Sequence, residues 1–172
     1  MEFILPTLKI LMWAGIGTII LGVAILLGIP FGRKSPFSYI FGSIFCIAVG
    51  IFIFSLRVPG KIVVSEDQLV LKAAFSKTQV IKANEIKQAW VEDLKDSKWH
   101  PAKKRSGTAF GDVRTGWFTL KNGRKGYLVL HGERALCIET DKEHVFLAGI
   151  DEFDEFLTKI KAQLPVLAEI LE

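Results

Sequence analysis

Charge is nearly absent from the first third of this 172-residue chain. Residues 1–56 carry only Glu2, Lys9, Arg33 and Lys34, and the runs 10–29 and 37–56, 20 residues each, carry none. Cysteine is equally scarce. Cys46 and Cys137 are the two present, and neither has a second cysteine close enough in sequence for a zinc or redox pair. The three histidines, His100, His131 and His144, are not spaced as metal ligands. There is no nucleophile elbow and no phosphate loop, since Gly15-Ile-Gly17 lies inside an apolar run. These absences exclude a simple soluble enzyme, a disordered chain and a collagen-like fibre. No catalytic residue, no metal and no cofactor is expected.

The two apolar runs are each long enough to cross a hydrocarbon core as a helix, which takes about 20 residues. A buried core helix would show polar positions at regular intervals, and neither run does. A cleaved leader is disfavoured because Met1-Glu-Phe-Ile-Leu-Pro6 lacks a basic start. We therefore expect a membrane anchor over 1–56, with transmembrane helices at about 10–29 and 37–56. The connector Pro30-Phe-Gly-Arg-Lys-Ser-Pro36 is a tight turn, so the helices should form an antiparallel hairpin. Ala14, Thr18 and Gly22 recur at four-residue spacing on one face, as do Gly42, Cys46 and Gly50 on the other helix. Such small-residue faces let helices pack closely in lipid, against each other or against a partner.

A hairpin leaves both of its ends on one side of the membrane. Lys9, Arg57, Lys61 and Lys72 are close to the spans on that side, against Arg33 and Lys34 on the other. The positive-inside rule then favours a cytoplasmic polar domain in a multi-pass protein of the cell membrane. Cys46 within the bilayer and Cys137 within a strand make a disulfide unexpected.

From Arg57 onward the pattern becomes strand-like. Removing the four charges above leaves 19 Lys/Arg and 17 Asp/Glu, an ordinary polar balance. Ile62–Val64 and Leu69–Leu71 flank the turn Ser65–Gln68 as a hairpin. Strands are expected at Thr78–Ile81, Ile86–Val91, Trp117–Leu120, Tyr127–Leu130, Ala135–Thr140 and Val145–Ala148, with a long polar loop from Glu92 to about Thr115. Asn122-Gly123 between two of these runs is a strong hairpin signal, because a type I′ turn needs positive φ. About eight short strands with frequent turns mark an antiparallel barrel or sandwich. A helix should follow, capped by Asp151, with Phe153, Phe156, Leu157, Ile160 and Leu164 as its apolar stripe. Pro165 should end it, leaving 165–172 as a tail.

The stretch Thr115-Gly-Trp-Phe-Thr-Leu-Lys-Asn-Gly-Arg-Lys-Gly-Tyr-Leu-Val-Leu130, then Cys137-Ile-Glu-Thr140 and the Asp151-Glu-Phe helix, resembles bacterial pleckstrin-homology (PH) domains. The likeness covers roughly residues 57–164, and the paired apolar runs suit it. It implies an α+β chain: a two-helix transmembrane hairpin followed by a PH-like antiparallel β-barrel or sandwich capped by a C-terminal helix. It brings no catalytic residues. Eukaryotic PH domains bind phosphoinositides through a basic loop in the first hairpin. Here that loop is Ser65-Glu66-Asp67-Gln68, which would repel a phosphorylated headgroup.

The segment Lys95–Arg105 holds five Lys/Arg, one histidine and one acid. Lys98, Trp99, Lys103, Lys104 and Arg105 are accordingly expected to contact the anionic membrane surface or a protein partner. A basic residue near such a surface contributes about 1 kcal/mol, and a tryptophan suits the interface. The expected partners are membrane lipids and another membrane protein or a second copy. Nucleic acid is not expected, because the domain's net charge is too small. The expected role is a non-catalytic, membrane-anchored interaction module. The competing reading is a small-ligand or enzymatic domain that uses the barrel mouth and the loop around His100.

Overall fold

The computed structural model describes residues 1–5, 9–27, 36–55 and 60–171, apart from the side chains of 9–10, 36–39 and 55. The connector bearing Arg33 and Lys34 lies outside the described residues, as does Arg57. The chain divides into two compact units. One gathers residues 1–6 and 59–172, and the other is 7–58.

The first unit begins with a strand that sequence reading missed, β1 (Glu2–Ile4). The second unit consists of helices α1 (Lys9–Leu27) and α2 (Pro36–Ser55). They pack antiparallel along a seam of small residues. A Cβ on Gly15 would lie 2.9 Å from the Phe54 nitrogen. One on Gly22 would lie 2.8 Å from Ile47 Cγ1, and one on Gly50 2.6 Å from Ile19 Cγ1. Ser43 is fully buried beside them. Of the small residues expected to pack, Gly22, Cys46 and Gly50 therefore lie at or beside the seam. Ala14 is exposed, Thr18 bonds back to the Ala14 carbonyl (2.8 Å), and a Cβ on Gly42 would meet nothing within 4 Å. Two of the expected positions were off by one: Gly15 and Ser43 hold the places assigned to Ala14 and Gly42. The seam follows a seven-residue repeat, 15 to 22 and 43 to 50, rather than a four-residue one. Among the described residues no helix is long and apolar enough to cross a membrane.

The first unit continues with β2 (Gly60–Val64), β3 (Gln68–Ala73), β4 (Gln79–Lys82) and β5 (Ile86–Asp93). After these come β6 (Pro101–Phe110), β7 (Val113–Leu120), β8 (Lys125–His131), β9 (Arg134–Thr140) and β10 (Val145–Gly149). They form a four-stranded sheet, β1-β2-β3-β4, and a six-stranded sheet, β5-β9-β10-β8-β7-β6. The expected barrel is thus two separate sheets, which fits a PH-like sandwich. The pairing is not wholly antiparallel either. β10 inserts between β8 and β9 and runs parallel to β8, with Val145 opposite Gly126 and Gly149 opposite Leu130. Five buried residues in a row on β10 reflect this central place, with both faces covered.

Strand order also explains what the expected long loop became. β5 and β6 are consecutive in sequence but lie at opposite edges of the six-stranded sheet. Residues 94–100 must therefore cross its outer face. They cover it with Leu94 and Trp99, which cluster with Phe118, Leu120, Leu128, Leu130, Cys137 and Leu147. The opposite face presents Tyr127, Val129, Leu136, Ile138 and Phe146, all fully buried. The remainder of the expected loop is strand: β6 takes residues 101–110 and pairs with β7. Its polarity hid it, because an edge strand shows only weak apolar alternation.

The closing helix α3 (Phe153–Gln163) buries Phe153, Phe156 and Ile160. Asp151 does not cap it. Its carboxylate lies 2.5 Å from His131 Nδ1, and the cap position falls to Glu152, which makes no side-chain cap bond. Pro165 starts a further short helix, α4 (Pro165–Ile170), instead of leaving a tail, since proline is well suited to a first helical turn. Phe156 meets Phe3 of β1 edge to face, ring centroids 5.1 Å apart. Truncation to Phe156→Ala should lower stability by about 3–5 kcal/mol, as large buried aromatics do. Denaturant unfolding of the full chain in mild detergent measures it, and a loss under about 1 kcal/mol would contradict the packing.

Candidate functional site

Two segments of the first unit carry cations and no acid. Residues 68–82 contain Lys72, Lys77 and Lys82, and residues 97–111 contain Lys98, Lys103, Lys104 and Arg105. The fold joins them through a contact between the Ser76 and Ser106 hydroxyls, 3.4 Å apart. A glycine pair permits this approach. Gly107 and Gly116 face each other across β6 and β7 at φ of +112° and +102°. A Cβ on Gly116 would lie 2.4 Å from the Ser106 carbonyl and 2.8 Å from Ser76 Oγ.

Lys103, Lys104 and Arg105 are exposed on β6, whose outer edge is unpaired in the sheet order. Register shifts flank them, between Pro101 and Lys103 and between Lys104 and Ser106. Such bulges and lysines keep an edge strand from pairing with another chain. Arg105 Nε donates to Thr119 Oγ1 at 2.8 Å, which holds its guanidinium along the strand. Thr119 also stands opposite Lys103 on one side and Lys125 on the other. Lys125 is the cation in this row that sequence reading missed, because only the register of β8 brings it there.

Trp99 is not at this surface. It is 9% exposed and packs against Trp90, ring centroids 5.0 Å apart, under the side chains of Lys98 and Arg124. Its expected interfacial role is corrected by the need to cover the outer sheet face. Lys98 is exposed but borders a different feature, a cleft of about 560 Å³ lined by Gln88, Trp90, Glu92, Trp99, Arg124 and Glu139 among others. Arg124 there pairs with Glu139 at 2.6 Å, and Glu92 accepts from the Trp90 indole N–H at 3.0 Å.

His100 spends its Nδ1 on the Leu94 carbonyl at 2.9 Å, within the crossing segment. His131 Nδ1 lies beside Asp151 but off the hydrogen-bond direction. His144 is partly buried, wedged between the rings of Trp117 and Phe146 with centroids 4.8 Å from each. Burial, with the Lys142 and Lys125 charges, holds its pKa below the ordinary histidine value. Cys137 is fully buried, and desolvation, with the Glu92 carboxylate, pushes its thiol far above the range of a reactive cysteine. Among the described residues no cluster of His, Cys, Asp and Glu could hold a metal ion.

The two sheets and the helix that closes them fit a PH-like sandwich. The sequence comparison agrees: the family model for the bacterial PH domain matches residues 60–164, and the chain belongs to that family. PH domains are in general non-catalytic interaction modules. The match begins at β2 and so omits β1 and both long helices. No curated protein and no solved structure matches the chain.

The His144 environment has a consequence for stability. A histidine whose folded pKa is depressed favours the native state while neutral, so its contribution is present above the unfolded value near 6.5 and is lost as pH falls through the lower folded value. His144→Phe keeps the ring contacts and removes the titration. The variant should lose less stability than the parent between about pH 7 and pH 5.5, read as the difference in their thermal midpoints. Parallel losses would show that His144 does not titrate differently on folding.

Proposed function

We propose that this chain is a membrane-anchored PH-like interaction module whose polar domain meets the anionic membrane surface through Lys103, Lys104 and Arg105, with Lys98 at the margin. The observation that carries the reading is the surface of the helical unit. Trp13, Leu21, Leu27, Phe41, Phe45 and Phe52 are all more than half exposed, on the face of each helix turned away from the seam. Helices apolar all round belong in a protein core or in lipid. Over their full bounds α1 and α2 have 19 and 20 residues. At 1.5 Å per residue that is close to the roughly 30 Å of a hydrocarbon core.

Chain connectivity supports the hairpin. Residues on both sides of the helical unit join the same sheet: Glu2 stands opposite Val63 and Ile4 opposite Lys61. The Leu5 N–H donates to the Gly60 carbonyl at 3.2 Å. The start of α1 and the end of α2 therefore return to one place, as an antiparallel hairpin across a membrane requires. The charge balance favours a cytoplasmic side by a small margin. The partners of the module are anionic lipids and, through the same tether, a neighbouring membrane protein.

Two measurements test this. A topology reporter after Glu172 and another between Arg33 and Ser35 should report opposite sides, with the first cytoplasmic; same-side signals would remove the hairpin. For the surface contact, the full chain should be placed in nanodiscs of phosphatidylcholine with or without phosphatidylglycerol. Hydrogen exchange at Lys103–Ser106 should slow in the anionic discs, and salt should reverse the effect, because screening acts over about 8 Å at physiological strength. Changing Lys103, Lys104 and Arg105 to Ser should abolish the lipid dependence and leave thermal stability nearly unchanged. Equal exchange in both discs would contradict the contact.

A further inference from the structure

We propose that β6 carries a self-association edge: Ser106–Phe110 pair antiparallel with the same residues of a second copy, joining two six-stranded sheets across a two-fold axis. This goes beyond the lipid contact and does not rest on it.

The backbone supplies the first argument. Among the described residues β6 pairs with β7 and no other strand, so the N–H and C=O groups of its outer edge meet no ladder. Such an edge is a template for another chain unless charge, proline or a bulge blocks it. The two halves of β6 differ in this respect. The first half contains Pro101, Lys103, Lys104 and Arg105, and both register shifts of the strand fall there. The second half, Ser106-Gly-Thr-Ala-Phe110, has no charge and no proline. Its register with β7 runs unshifted from Ser106 opposite Trp117 to Phe110 opposite Val113. Ser106, Ala109 and Phe110 are exposed. The blocking devices therefore stop halfway along the strand.

The other edges do not offer this. β5 carries Lys87, Glu92 and Asp93 and a register shift between Ile86 and Gln88. β1 and β4, the edges of the smaller sheet, have three and four residues and include Glu2 and Lys82. Ser106–Phe110 is the longest uncharged stretch on an edge strand among the described residues.

Charge then selects the occupant. Cations lie before the uncharged stretch and Asp112 lies just after it, and both Lys104 and Asp112 are exposed. Antiparallel pairing centred on Thr108 sets Thr108 opposite its own copy, Gly107 opposite Ala109, and Ser106 opposite Phe110. It brings Lys104 of each copy level with Asp112 of the other, so an opposite-charge pair closes each end. The two cation clusters then stand about 25 Å apart at roughly 3.3 Å per residue, well beyond the screening length of about 8 Å. Parallel pairing would set the clusters against each other, and like charges directly opposite are destabilising. A strand suited to this edge needs an uncharged centre and an acid level with Lys104, and β6 with its turn supplies both. The contact is isologous, as a closed dimer requires.

Sedimentation equilibrium of the full chain in mild detergent tests the proposal and should show a monomer–dimer equilibrium. Asp112→Lys should weaken the dimer by about tenfold. Adding Lys104→Asp should restore it, because the pair is rebuilt with its signs exchanged. Ala109→Lys places a charge within the unguarded stretch and should abolish the dimer while the thermal midpoint stays unchanged. In a Cys46→Ser background, Thr108→Cys should join two copies under mild oxidation, and Lys103→Cys should not. A chain that stays monomeric at all concentrations would overturn the proposal, including the case in which the edge takes a strand of another protein. A dimer that survives Ala109→Lys would place the interface elsewhere and overturn it too. Failure of the charge exchange to restore the dimer would contradict the antiparallel register.

Discussion

The backbone pairing of β1 with β2 is the constraint on which the rest depends. Val64 donates to the Met1 carbonyl at 2.8 Å and Leu5 to the Gly60 carbonyl at 3.2 Å, so the short strand is bonded at both ends. Leu5 is 1% exposed, Phe3 packs on Phe156, and Lys61 pairs with Glu2 at 3.0 Å. Everything between Leu5 and Gly60 becomes an excursion from a sheet that closes behind it. A helix pair inserted in this way must run out and return, whatever medium it enters. The polar unit is then attached by two chain segments rather than one.

The same pairing gives the polar unit a polarity. One end of β2 and β3 holds the chain exits, the turn from Ala73 to Ser76 and the cations of β6. The other holds Glu66 and Asp67. The carboxylates Asp93, Glu133, Asp151, Glu152, Asp154 and Glu155 border a separate cleft of about 540 Å³ beside the start of α3. A domain whose charges nearly cancel can thus still present a local basic surface. The small net charge that argues against nucleic acid does not weaken a local contact of about 1 kcal/mol per cation at an anionic surface.

Much of the fold was legible from short-range signals. The Asn122-Gly123 hairpin, the apolar strand cores and the α3 stripe all depend on local pattern, and they stand where the sequence puts them. Gly123 at φ +82° turns the chain without a positive φ at Asn122, however, so the turn is not the expected type I′. What escaped is non-local. β1 has three residues and no alternation, and it exists only because β2 offers it an edge. β6 reads as a polar loop because its stabilising partner is β7. Trp99 reads as an interfacial residue because nothing local shows that β5 and β6 lie at opposite edges and that the segment between them must cover a sheet face. At the site, the cluster of Lys103, Lys104 and Arg105 was visible in sequence. Lys125 was not, since it arrives by the register of β8.

The central claim is that the exit end of the polar unit, and not its acidic turn, faces anionic lipid. Paramagnetic relaxation from a gadolinium-labelled lipid headgroup, read on backbone amides of the full chain in anionic nanodiscs, tests it directly. The account predicts strong broadening at residues 72–78 and 103–106, with sharp signals retained at 65–68. Broadening at 65–68 with 72–78 unaffected would contradict it.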